Sequence, residues 1–289
     1  MKGIYLPLMT PFDHQGNIEF GKLAAMFEHH LNQGVHGFYI GGSSSECFMM
    51  SLVERKDVLK AIAEINGGRV PLIAHVGAIS LFETKQLADV ASDWGYQAIS
   101  ATPPFYYGFS KSEVEHYYRE LSAYSALPLL LYNIPGTTGV NFSHSELLEL
   151  SSMPNVIGIK HTTTDMFFIE RLRNADANQV IFHGEDTMLV NGLQMGASGG
   201  IGSTYNLMSG QYVAIYNAME QGRLEEAMRL QHLVNRVTEQ LLDCGLYQSI
   251  KFAMTELGVD YGVCREPFLP LSQTHKQKFE KILENIHFC

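Results

Sequence analysis

An α/β fold, a (β/α)8 barrel with a C-terminal three-helix appendage, is what this sequence predicts, and three observations carry the prediction. Short apolar runs ending in Gly, Pro, Ser or Thr alternate with longer segments of helical period, as strands buried on both faces and returned by crossover helices do. Eight such runs occupy roughly the first 220 residues, the size of one barrel and more like units than a doubly wound sheet needs. After Gly222 the runs stop and only helical patterns follow, with no linker rich in Pro, Gly or Ser before them.

The expected strands cover 3–10, 35–41, 70–77, 98–103, 128–132, 156–160, 180–183 and 198–202. Helix starts are marked at Ser51 with Glu54 and at Ser143 with Glu146, the S-x-x-E spacing in which each side chain satisfies a free N–H of the first turn. Gly34, Gly95 and Gly196 mark helix stops, because glycine adopts the left-handed conformation there without strain. Beyond the barrel, helices are expected over 224–242, 246–257 and 274–286, with Pro267 and Pro270 separating the last two. The chain therefore divides into a barrel over 1–222 that carries the active site and a helical extension over 223–289 packed on it.

Composition narrows the function. Of 289 residues, 46% are hydrophobic and 17% charged, the balance of a compact globular protein rather than a disordered or fibrous one. Twenty Lys and Arg against 30 Asp and Glu give a net charge of −10, which repels nucleic acid and acidic membranes. Cys47, Cys244, Cys264 and Cys289 lie far apart with no CxxC spacing, as free thiols of a reducing compartment do. Pro7 falls where a signal peptide needs an apolar helix, and no run of about 18 apolar residues occurs, so a cytoplasmic location is expected. The twelve histidines include no pair at i, i+4, so no metal is expected.

Barrels of this kind build their sites at the C-terminal ends of the strands. Lys160 closes the apolar run Val156-Ile157-Gly158-Ile159, and an amine buried there is pushed toward its neutral, nucleophilic form, the form that makes a Schiff base. The plain alternative is a lysine that snorkels to solvent or pairs with an acid. Tyr132 ends the next run upstream and either relays a proton or is simply tethered by one backbone hydrogen bond. Gly41-Gly42-Ser43-Ser44-Ser45-Glu46 is a strand-to-helix turn whose N–H groups suit a carboxylate or phosphate, although a structural loop looks similar. Gly199-Gly200-Ile201-Gly202-Ser203-Thr204-Tyr205-Asn206 is not the dinucleotide fingerprint, since Tyr205 fills the last glycine position, and no P-loop exists, so no nucleotide cofactor is expected. Phe105-Tyr106-Tyr107 is an aromatic group beyond the fourth strand that either packs locally or marks an interface.

Taken together, these strand ends resemble the superfamily of N-acetylneuraminate lyases and dihydrodipicolinate synthases, class I aldolases, over nearly the whole chain. The segments Tyr39-Ile40-Gly41-Gly42-Ser43, Ala74-His75-Val76-Gly77, Pro104-Phe105-Tyr106-Tyr107, Tyr132-Asn133-Ile134-Pro135 and Gly200-Ile201-Gly202-Ser203-Thr204-Tyr205-Asn206 are most similar to the lyase branch. The resemblance implies a covalent imine between Lys160 and pyruvate, with no cofactor, and cleavage of N-acetylneuraminate to N-acetylmannosamine and pyruvate. It implies Tyr132 as proton relay with Ser43 and Tyr106, the latter lent by a neighbouring subunit of a homotetramer built from tight dimers. The N–H groups of Ser43 and Ser44 would hold the pyruvate carboxylate. Thr162, Gly184, Asp186, Gly202 and Ser203 would meet the hydroxyls of the sugar-derived part.

Two segments depart from the lyase pattern. Ser45 stands where a glycine is usual, placing a side chain beside the carboxylate site. In His183-Gly184-Glu185-Asp186-Thr187 the second acid of the usual pair is replaced by Thr187, while Glu185 brings an acid one place earlier. Glu185 and Thr187 join the substrate-binding candidates. Gly136-Thr137-Thr138-Gly139 lacks the arginine with which dihydrodipicolinate synthases hold a second carboxylate. Another 2-keto-3-deoxy sugar acid, of the 2-keto-3-deoxygluconate type, is the alternative substrate, and a non-catalytic sugar-acid-binding barrel is the alternative class.

Overall fold

A computed structural model describes residues 1–285 of the chain. Eight parallel strands close into a barrel in sequence order, the last pairing with the first. They are β1 (Gly3–Pro7), β2 (Gly37–Ile40), β3 (Leu72–His75), β4 (Ala98–Ala101), β5 (Leu129–Asn133), β6 (Val156–His161), β7 (Val180–His183) and β8 (Gly199–Gly200). Most are shorter than the apolar runs that predict them. The reason is visible after β1, where Leu8 and Met9 stay buried although the chain has left the sheet. The C-terminal mouth is lined by apolar loop, so hydrophobicity outlasts the ladder.

The strands read as continuous apolar runs because both faces are covered. Tyr5, Tyr39, Ile73, Ala98, Leu130, Tyr132, Phe182 and Ile201 fill the barrel, while their neighbours Leu6, Phe38, Leu72, Ile99, Leu131 and Ile181 pack under the helices. β8 is only two glycines for a steric reason. A Cβ on Gly199 would lie 1.9 Å from the carbonyl oxygen of Gly3, so a side chain there would keep β8 from closing on β1.

The helix signals hold. Ser51 with Glu54 and Ser143 with Glu146 form reciprocal capping boxes on the helices Leu52–Asn66 and His144–Ser151. Gly34, Gly95 and Gly196 all have positive φ. The final helices are Leu224–Cys244, Leu246–Glu256 and Gln273–Asn285; Ile286, and Cys289 among the expected thiols, lie outside the described residues. Leu224–Cys244 packs on Tyr205–Glu220, the helix that follows β8, and Leu246–Glu256 packs on both. No helix among the described residues is long and apolar enough to cross a membrane.

Candidate active site

Lys160 is the last residue but one of β6, with its side chain inside the barrel and only 5% exposed. The register sets it beside Tyr132 of β5 on one side and Phe182 of β7 on the other. Its Nζ sits 4.0 Å from the centre of the Tyr132 ring and 4.6 Å from that of Tyr39. These ring faces attract a cation, yet burial outweighs them and pushes the amine down to about 7, opposed by Asp186 and Cys47. A neutral amine is therefore accessible near neutral pH. The snorkelling alternative is excluded by the burial, and no acid pairs with this nitrogen among the described residues.

Burial pushes the Tyr132 phenol up to about 12, with the hydroxyls of Ser43 and Thr162 beside it pulling the other way. Ser43–Ser45 form one 3₁₀ turn directly after β2. Within it the Ser45 N–H donates to the Gly42 carbonyl and that of Glu46 to Ser43, both at 3.0 Å. The N–H groups of Ser43 and Ser44 donate to no acceptor among the described residues, as the first N–H groups of a helical turn must. Ser44 Oγ and Ser203 Oγ meet at 2.7 Å, joining this turn to the loop after β8. Ser45, the residue in place of the usual glycine, is buried and its hydroxyl donates to the Leu8 carbonyl at 2.7 Å. That side chain braces the scaffold instead of occupying the space beside the turn.

The opposite wall comes from the loops after β6, β7 and β8. Gly184 is pressed on Thr162, whose Oγ1 lies 2.3 Å from where a Cβ would be. Gly202 is pressed on Asp186 still harder, with Oδ1 at 1.5 Å from such a Cβ. Asp186 Oδ2 accepts from the Thr204 N–H at 2.8 Å and its hydroxyl at 2.6 Å, while Oδ1 is buried without a partner. Burial pushes this carboxyl up to about 6. Glu185 Oε1 accepts from the Thr187 hydroxyl at 2.6 Å, so the displaced acid is folded back onto residue 187. Gln231 and Asn235, from the first tail helix, hold this loop by donating to the carbonyls of Asp186 and Thr187, each at 3.0 Å.

Tyr106 does not join this cluster. It stands 83% exposed on the loop after β4, its ring against Tyr107, and its φ of 79° is a left-handed conformation strained for an aromatic residue. Sequence reasoning left out three residues that the fold brings in. Tyr39 faces Lys160 and donates to Ser100 Oγ at 3.1 Å; the alternation along β2, with Phe38 outward, could have found it. Thr204 holds Asp186, and Tyr247 of the helix Leu246–Glu256 is half-buried near Ser203 and Tyr132, its phenol pushed up to about 12 by desolvation. Nothing in the tail sequence says which of its turns meets the barrel mouth. Among the described residues, no group of three His, Cys, Asp or Glu side chains could hold a metal.

The Dihydrodipicolinate synthetase family matches residues 1–286, and the chain belongs to that family. It is 45% identical over 268 residues to an N-acetylneuraminate lyase of Rhizobium meliloti, covering 93% of this chain and 89% of that one. An N-acetylneuraminate lyase of Salmonella typhimurium is 36% identical over 288 residues, 99% of this chain and 97% of its own. Among solved structures, CdNal from Clostridium difficile in complex with mannosamine superposes with a TM-score of 0.96 at 36% identity, covering 99% of both chains. N-acetylneuraminate lyase from Fusobacterium nucleatum complexed with pyruvate gives 0.92 at 37% identity, covering 99% of this chain and 96% of that one.

Proposed function

We propose that this chain is a class I aldolase cleaving N-acetylneuraminate to N-acetylmannosamine and pyruvate, with Lys160 as the imine-forming amine. The observation that carries the reading is a buried lysine held near pKa 7 beside Tyr132, under a turn with two free N–H groups. The named relatives and the neighbours solved with pyruvate and mannosamine support the substrate. The free amine attacks the keto carbon of the open-chain acid, water leaves, and the resulting iminium draws electrons from the bond between its α- and β-carbons. As that bond breaks, the hydroxyl on the far carbon gives up its proton and becomes an aldehyde. The electron pair remains as an enamine, which is protonated on carbon before water releases pyruvate.

Tyr132 is a relay in this scheme rather than a standing base. A phenol near pKa 12 is neutral at working pH, so it takes the substrate proton only while giving its own onward, through Ser43 and Tyr106. The Ser43 and Ser44 N–H groups hold the carboxylate. Thr162, Gly184, Glu185, Asp186, Thr187, Gly202 and Ser203 form the wall for the sugar-derived part, and the Thr187–Glu185 hydrogen bond keeps a carboxylate at the place where the lyase pattern has its second acid. Pyruvate release from N-acetylneuraminate is expected to exceed that from 2-keto-3-deoxygluconate in kcat/KM. The reverse order would assign the shorter sugar acid and make the loss of an acid at position 187 its cause. No release from either would leave the non-catalytic barrel.

We place the enzyme in the cytoplasm as a homotetramer, with the site on the 1–222 barrel and 223–289 as its appendage. Support for assembly is the exposed, strained Tyr106 beside exposed Tyr107, aromatic surface that a partner would cover. Mixing an inactive Lys160→Ala chain with an inactive Tyr106→Ala chain is expected to restore activity, because a hybrid dimer holds one site with both groups. Scattering must first show an oligomer whose chains exchange. Hybrids that form without activity would place Tyr106 outside the shared site.

A further inference from the structure

The turn with the two free N–H groups is held from the tail. Glu46 closes that turn in a left-handed conformation, φ 58°, which a residue with a side chain keeps only where its surroundings fix it. Its carboxylate is buried completely. Oε1 accepts from Lys251 Nζ at 2.7 Å and Oε2 from the Arg265 backbone N–H at 2.8 Å. Lys251 gives its other two protons to the carbonyls of Thr10 and Val263, both at 2.7 Å, so all three donors of the ammonium are used. Arg265 then spans the neighbouring segments: it donates to Met49 at 2.7 Å, to Gly16, and to Glu54 at 2.6 Å, and lies 4.3 Å over the Phe12 ring. Glu54 is itself the acid of the capping box that starts the next helix.

We infer that Lys251 and Arg265 are positioning residues for substrate-carboxylate binding, acting through Glu46 to fix the direction of the Ser43 and Ser44 N–H groups. The inference rests on the reading that this turn binds the carboxylate. Packing alone does not require such a pair, since a buried ion pair replaced by apolar residues of like volume is often no less stable. What a fully satisfied ion pair adds is direction. Two peptide units separate Ser44 from Glu46, so a carboxylate fixed by two donors fixes the turn.

The test uses the double variant Glu46→Gln/Lys251→Met, which removes both charges and keeps the volumes, and Lys251→Arg, which keeps the cation but not the three-way geometry. Borohydride trapping at Lys160 is measured with pyruvate, which has a carboxylate, and with acetone, which has none. In variants with near-native melting, the half-saturating pyruvate concentration is expected to rise about tenfold while acetone trapping stays within about twofold, the loss of one well-aimed charge-assisted contact. An unchanged ratio in a folded variant, or an equal fall with both probes, overturns the inference. Should the double variant not fold, Lys251→Arg carries the same comparison. Absence of any pyruvate adduct at Lys160 in the unaltered protein would instead overturn the aldolase reading.

Discussion

Borohydride added with pyruvate is expected to fix one pyruvate-derived mass on the peptide carrying Lys160, and Lys160→Met to lower turnover on the order of 10⁴-fold or more, the scale of losing a covalent nucleophile. The pH dependence follows from the amine being held at about 7. Below that value the neutral fraction falls tenfold per pH unit, so the rate of capture rises with pH up to about 7 and then levels. An ordinary lysine would go on gaining to about 10.5. The same shift has a stability consequence of opposite sense. The unfolded chain keeps this lysine protonated up to its ordinary pKa while the folded chain releases the proton near 7, so burial of the amine opposes folding most fully at neutral pH and below. The penalty fades as pH rises through that window. Lys160→Met is therefore expected to melt higher than the parent at pH 7, by a free energy of order a few kcal/mol, and to lose that advantage toward pH 10. Activity lost together with stability would mean that the lysine is structural. An adduct on another lysine, or none, would remove Lys160 from the chemistry.

The barrel was legible because its strands are buried on both faces, which writes each as an apolar run whatever its length. For the same reason the ends were not: burial of Leu8 and Met9 continues after hydrogen bonding stops. Lys160 and Tyr132 were legible as polar residues at the ends of such runs, and their pairing follows from parallel register between adjacent strands. Asp186 was legible by resemblance, but its environment was not. Its raised pKa comes from burial, with the bare face of Gly202 closing on it and the two Thr204 donors pulling the other way, contacts between loops of two strands. Ser45 looked like an intrusion until the fold turned its hydroxyl to Leu8. The tail was the least legible part. Tyr247 and Lys251 lie within one helix of ordinary amphipathic pattern, and only its docking angle decides that one nears the site and the other meets Glu46.

Tyr132→Phe is expected to leave the pyruvate adduct at Lys160 intact while lowering turnover of N-acetylneuraminate by about 10²-fold or more, the usual loss with a positioned acid–base group. The ring stays, so the packing against Tyr39 and the apolar wall over Lys160 Nζ survive, and with them the lowered pKa that makes capture possible. Only the hydroxyl near Ser43 and Thr162 is removed. Cleavage then has no route for the substrate proton except water, which the buried position of residue 132 restricts. The variant should therefore accumulate substrate imine, trapped by borohydride as the mass of the whole sugar acid on Lys160 rather than that of pyruvate alone. Two other outcomes are informative. Equal loss of capture and cleavage would mean that the phenol acts on imine formation, through the electrostatics of the amine. An unimpaired variant would transfer the relay to another hydroxyl in reach, with Tyr247 beside Ser203 the next to replace.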